Sequence, residues 1–148
     1  MSIGTIARAA SLLALLLIPA MPALATGVGL VKTSKGEVSI ERNGRTLPAP
    51  VGASVEAADT VRTGKDGAAG ITFVDNSRMA LGPRSTLVIN RFDFDQTTLE
   101  GHFDSTLQHG TLSAVSGKLA KHSPEAMTVK TRSTILAVRG TEFLVRTR

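Results

Sequence analysis

The chain has 148 residues, 42% of them hydrophobic, and a formal net charge of +5. It contains no Cys, no Trp and no Tyr, with Phe as its one aromatic type. That excludes thiol chemistry, disulfides and a lipid-bearing Cys, and it removes the stacking side chains that sugar- and base-binding sites commonly use.

Residues 1–25 read as a signal peptide. Arg8 gives a weakly positive start, Ala9 to Ile18 is small and apolar apart from Ser11, and Ala23-Leu24-Ala25 is an A-x-A cleavage signal. An apolar run of about 10 residues is too short to cross a bilayer, which takes roughly 20, so the expectation is export and cleavage. No later segment is long and apolar enough to span. Residues 26–148 are then one domain, large enough for a real core and expected in the periplasm. Arg8 is the single charged residue of the leader, so its removal turns 17 Lys and Arg into 16 against 12 Asp and Glu, a net charge of +4. The excess gathers late, with Lys118, Lys121, Lys130, Arg132, Arg139, Arg146 and Arg148 against Glu125 and Glu142. In an exported protein this points to an anionic envelope polymer, an acidic partner protein or mere solubility of a solvated surface before it points to nucleic acid.

In chain order, Leu30 to Thr33 opens the first strand. Glu37 to Glu41 alternates polar and apolar, and Asn43-Gly44 after it is a strong hairpin signal, because both residues accept positive φ. Thr46-Leu47 is the return strand, and Pro48 and Pro50 confine it to an edge. The central stretch from Asp59 to Ile89 has large apolar residues two apart: Ile71 and Phe73, Met79 and Leu81, Leu87 and Ile89. That is strand periodicity, interrupted at Asp75-Asn76-Ser77 and after Gly82-Pro83 by residues that favour turns. Gly64, Gly67 and Gly70 lack the order of a phosphate cradle and read as turn residues. Asn90 to Asp95 alternates again, with Phe92 and Phe94 on one face and Asp93 and Asp95 on the other. Leu99 to Thr106 and Leu107 to Val115 read as two strands punctuated by Gly101 and Gly110. Gly117 to Glu125 reads as a loop. Met127 to Thr131, Ile135 to Val138 and Phe143 to Val145 complete the set. The whole is all-β, a single domain of many short strands joined by tight turns, either a stacked sandwich or a β-helix-like wrap.

Catalytic signals are sparse. No G-x-S-x-G elbow and no zinc-binding spacing occurs, and His102, His109 and His122 are loosely spaced. Asp93, Asp95, Glu100 and Asp104 form the densest acidic group, but the order of a calcium loop is missing and a solvated strand face explains them better. No catalytic residue, metal or cofactor is expected. A hydrolase using this group with a His ranks last among the readings. Arg139 and Glu142 flank Gly140-Thr141 in an otherwise apolar run, where charges are rare unless paired. They are expected to bond to each other or to the backbone, or to meet a partner.

Five ordered motifs carry a resemblance: Asp59-Thr60-Val61-Arg62-Thr63-Gly64, Phe73-Val74-Asp75-Asn76-Ser77, Leu81-Gly82-Pro83-Arg84-Ser85, Gly117-Lys118-Leu119 and Val138-Arg139-Gly140-Thr141-Glu142-Phe143. Together they cover most of Gly36 to Val145, and the stretch resembles the FecR domain, the periplasmic part of iron-dicitrate-type sensors. In those sensors a cytoplasmic anti-sigma segment and a membrane helix precede the domain, which meets the signalling part of an outer-membrane receptor. Here the cleavable signal stands in place of the anchor. The resemblance implies a non-enzymatic binding module of the cell envelope. Its expected partner is an outer-membrane receptor, a membrane-anchored regulator or an anionic cell-wall polymer, and its candidate binding residues are Arg139, Glu142, Lys118, Lys121 and Arg132. The last strand is expected to expose an edge open to self-association, which makes a structural scaffold the alternative.

Overall fold

The computed structural model describes residues 27–138 and 142–148. The signal peptide expected at 1–25 and Arg139 lie outside them. Twelve strands are described: β1 (Gly29–Lys35), β2 (Val38–Arg42), β3 (Arg45–Pro48), β4 (Ser54–Val55), β5 (Thr60–Thr63), β6 (Ala68–Phe73), β7 (Arg78–Leu81), β8 (Thr86–Phe94), β9 (Gly101–Val115), β10 (Met127–Lys130), β11 (Ile135–Ala137) and β12 (Glu142–Thr147). They form one curled sheet with β9 common to its two halves. Half-sheet I runs β4-β1-β6-β7-β9-β12, and half-sheet II runs β3-β2-β5-β8-β9-β10-β11. Every pairing is antiparallel except β9 with β10, where Met127 lies opposite Phe103 in parallel register.

The alternation read from the sequence sets the inside face. Ile71, Phe73, Met79, Leu81, Leu87 and Ile89 are all buried, and residues of both half-sheets join one core. Phe73 of half-sheet I stacks on Phe92 and tilts against Phe103 of half-sheet II, with ring centroids 5.5 and 4.6 Å apart. Such pairs contribute about 0.5–1.5 kcal/mol each beyond their buried area. Along β8 the buried residues change phase, from Leu87 and Ile89 to Phe92. A register shift between Ile89 and Arg91 opposite β9 absorbs the extra residue. Asn43 and Gly44 take φ of 51° and 74° and make the predicted hairpin between β2 and β3. Pro48 ends β3, which pairs with β2 alone and so needs no donor on its other side.

Two expectations need correction. Leu99 to Val115 is not two strands: β9 runs unbroken for 15 residues. Gly110 bends it without ending it. Gly117 to Glu125 is not a loop, because α1 (Lys118–His122) and a 3-10 turn at Pro124–Ala126 occupy it. Leu119 and Ala120 are buried, so this short helix is held by the core it covers rather than by propensity, which five residues could not supply.

The bend in β9 is closely fitted. Gly110 has φ +97°, and a Cβ there would lie 2.1 Å from Ser85 Oγ and 2.5 Å from Ser85 Cα. Ser85 Oγ accepts from Thr111 N–H at 3.0 Å, and Ser85 N–H donates to Thr63 Oγ1 at 2.9 Å. Thr63 Oγ1 in turn donates to the Gly82 carbonyl at 2.6 Å. At Gly82, by contrast, a Cβ would make an ordinary 3.5 Å contact with Thr111. Gly110→Ala should therefore lower unfolding free energy by about 2–4 kcal/mol in denaturant titration, combining backbone strain and overlap. Gly82→Ala should change it by less than about 1 kcal/mol, within the range of changes away from such strain.

Candidate functional site

Three places in the fold gather charge. The first is a cluster the sequence does not advertise. Asp59, 1% exposed, closes the turn that leads into β5, and Arg42 at the end of β2 reaches it with a two-pronged grip: Nε donates to Oδ1 at 2.8 Å and Nη2 to Oδ2 at 2.6 Å. Arg42 Nη1 also meets Glu56 Oε1 at 2.6 Å, and Nη2 donates to the Ser54 carbonyl at 3.0 Å. Asp59 Oδ2 further accepts from Glu56 N–H at 2.8 Å. The hydrogen bond to Asp59 raises the Arg42 pKa against the opposing effect of burial, so the guanidinium stays charged. Both oxygens of Asp59 and all three guanidinium nitrogens of Arg42 are engaged, which marks a clasp between β2 and the β4–β5 turn. Asp59 opens the first motif quoted above, yet nothing in its spacing announces Arg42 17 residues earlier.

The second place lies under α1. Asp75 is fully buried, and its Oδ1 accepts from Ser77 N–H at 3.0 Å and Ser77 Oγ at 2.6 Å. Among the described residues its Oδ2 has no hydrogen-bond partner. Lys118 N–H donates to the Asp75 carbonyl at 2.7 Å, so the turn after β6 receives the start of α1. A Cβ at Gly117 would lie 2.3 Å from Ser77 N and 2.8 Å from Asp75 Oδ2. Glycine at 117 is thus required by close approach.

The third place is the exposed acidic end of β8 and β9. Asp93 Oδ2 accepts from Arg91 Nε at 2.7 Å, and Oδ1 lies 3.3 Å from His102 Nδ1. Asp95 Oδ1 accepts from the N–H groups of Thr97 and Thr98, capping its own turn. Asp104 bonds to Thr128 Oγ1 on β10. Asp93, Asp95 and Asp104 are therefore engaged locally, and among the described residues no set of three or more His, Asp or Glu comes together to hold a metal ion. Burial raises the Asp93 pKa, but the Arg91 and His102 hydrogen bonds outweigh it and leave a net lowering.

The sequence-predicted binding residues separate into two groups. Lys118 and Lys121 are exposed on α1, which follows directly on β9. Glu142 is exposed at the start of β12, opposite Val115, three positions before Lys118 in the chain. These three share one end of half-sheet I. Arg132 is exposed in the β10–β11 turn beyond Lys130, which pairs with Thr106 in half-sheet II, and does not join them. The expected bond between Arg139 and Glu142 involves a residue outside those described.

Glu142 also borders a shallow depression of about 430 Å³ on the solvent face of half-sheet I. Register builds it. Gly70, Ala80 and Ser113 lie side by side on β6, β7 and β9 and form a low floor that leads to Leu144 on β12. The adjoining row is Thr72, Arg78, Val115 and Glu142, and Lys32 stands at the β1 side. Two cations and one carboxylate around small residues suit a polar chain laid across the strands. The sequence hides this feature, because its residues come from five strands.

Comparison with known proteins gives one result. The family model described as FecR protein matches residues 59–148, which takes in Asp59, Asp75, α1 and β12 and leaves β1 to β4 outside. No curated protein and no solved structure matches the chain.

Two outcomes follow from the charges. Arg42→Ala should lower unfolding free energy by about 2–4 kcal/mol in denaturant titration, because the buried Asp59 carboxylate loses both of its guanidinium hydrogen bonds. For Asp93 the folded pKa lies below the unfolded value of about 3.9, so its contribution is present above that pH and lost as pH falls through the folded value. The melting temperature of wild type minus that of Asp93→Asn should accordingly be larger at pH 6 than at pH 2. In a carboxyl NMR titration Arg91→Ala should move the Asp93 midpoint upward.

Proposed function

The chain belongs to the FecR protein family, whose domains are regulatory, typically periplasmic and active in signalling, and from that premise we propose that it is an exported, non-enzymatic binding module of the cell envelope. None of the described helices is long and apolar enough to cross a membrane. Its partner on this reading is an outer-membrane receptor or a membrane-anchored regulator, with an anionic cell-wall polymer as the other candidate of suitable charge.

The observation that carries the reading is the placement of Lys118, Lys121 and Glu142. Burial of Leu119 and Ala120 fixes α1 and turns both lysines to solvent at the end of half-sheet I where Glu142 borders the depression. Fixed charges beside a shallow, small-residue floor give electrostatic specificity at modest affinity. A second reading, self-association as an envelope scaffold, is favoured by β12, which among the described residues pairs with β9 alone.

Crosslinking of the exported protein in envelope extract, followed by capture and mass spectrometry, tests the first reading. The expected outcome is enrichment of a receptor or anchored regulator that falls at least about tenfold for Lys118→Glu, Lys121→Glu, as expected when two charges of a complementary surface are reversed. Recovery of cell-wall fragments assigns the surface to the polymer. Recovery of neither refutes the module.

A further inference from the structure

We propose that β12 pairs antiparallel with β12 of a second copy of this chain, with Leu144 on the twofold axis. The proposal deepens the second reading above and rests on it. Among the described residues β12 is the outermost strand of half-sheet I, and every second residue of an edge strand turns its N–H and C=O groups away from its neighbour. Leu144 stands on this edge with 69% of its surface exposed. That combination of open backbone groups and an exposed large apolar side chain is one that edge strands ordinarily avoid.

The residues of β12 select one register. Along the strand Glu142, Leu144 and Arg146 are exposed, while Val145 is buried and Phe143 packs partly against the core. Residues directly opposite in a sheet share a face, so a twofold pairing must set exposed positions against exposed ones. Centring on Leu144 sets Leu144 against itself, Glu142 against Arg146 twice, and Phe143 against Val145 twice. Both charges meet their opposites and every apolar residue meets another. Centring on Val145 sets Leu144 against Arg146, and centring on Phe143 sets Glu142 against Leu144. Each of those mismatches an apolar side chain with a charge.

Arg146 is already held on the solvent face, where Nε donates to Thr111 Oγ1 at 3.3 Å, and its remaining guanidinium donors are available to a partner carboxylate. The other edges with an exposed large apolar residue do not offer the same match. β3 carries Leu47 but ends at Pro48, which has no N–H to donate. β11 is three residues, Ile135-Leu136-Ala137, with no charge to set a register.

Pairing through one strand falls short of the roughly 1,200–2,000 Å² that stable complexes bury, so the dimer is weak and depends on concentration. It joins two six-strand half-sheets into one sheet of twelve and sets the two depressions side by side across the axis.

Sedimentation equilibrium of the exported protein, from micromolar to millimolar concentration, is the test. A monomer–dimer equilibrium is expected. Glu142→Arg and Arg146→Glu should each weaken association about tenfold or more, because like charges then face each other at two places. An equimolar mixture of the two variants should restore it, since each reversed charge meets its complement. As the chain has no other Cys, Leu144→Cys should form a disulfide-linked dimer on mild oxidation and Ile135→Cys should not. Circular dichroism checks that each variant is folded, and the Cys pair gives a readout independent of the reversals. A protein monomeric throughout overturns both this proposal and the second reading. A dimer that tolerates both reversals and leaves Leu144→Cys unlinked preserves self-association and overturns the strand pairing.

Discussion

The fold depends on one bend. β9 is paired along both edges: β8 and then β7 on one side, β10 and then β12 on the other. Its first part belongs to half-sheet II and its last part to half-sheet I, so the direction it takes at Gly110 decides whether the halves face each other across the core. Ser85 occupies the space a side chain at Gly110 would need, and Thr63 and Thr111 hold Ser85 there. The bend is thus set by steric exclusion and by hydrogen bonds from three different strands or turns, a combination that leaves little freedom for the angle between the halves.

Around that bend the polar groups fall into two kinds. Arg42, Glu56 and Asp59 satisfy one another and the local backbone, and they tie the N-terminal strands to the start of the family-matched region. A network so complete specifies geometry more than it adds stability, because removing two charges from water offsets much of the attraction between them. Asp75 differs, since one of its oxygens is buried with no hydrogen-bond partner among the described residues. The turn it braces receives α1, and α1 carries the two exposed lysines. Surface charge and buried carboxylate therefore meet at one place in the fold, joined by the Lys118 N–H bond to the Asp75 carbonyl, though they come from distant parts of the chain.

Much of this was readable before any coordinates. Alternation alone identifies the buried residues of β6, β7 and β8, because burial on one face imposes a period of two. Asn43-Gly44 identifies its hairpin because the required φ values exclude most other residues. β9 was misread because Gly110 resembles punctuation, and only the Ser85 side chain, 25 residues earlier, distinguishes a bend from a stop. α1 was missed because five residues carry too little periodicity and its helical form comes from tertiary contact. Among the binding candidates, the sequence offered charge without placement. Lys118, Lys121 and Glu142 come to one end through the β9–β12 register, which excludes Arg132, whereas the floor of Gly70, Ala80 and Ser113 had no local signal at all.

The position of β9 in the chain also governs the order in which the molecule can form. Two of its four neighbours, β7 and β8, are made before it, and β10 and β12 after it. Until Gly101 to Val115 has emerged, β7 and β8 each have a bare side and the halves have no common member. Even then, half-sheet II lacks β10 and β11, and half-sheet I lacks β12. Such non-local pairing pays the entropy of loop closure before contacts reward it, which makes folding slow relative to helical domains. An N-terminal part that stops before β9 would leave β7 and β8 each unpaired on one side and the two halves without their shared strand.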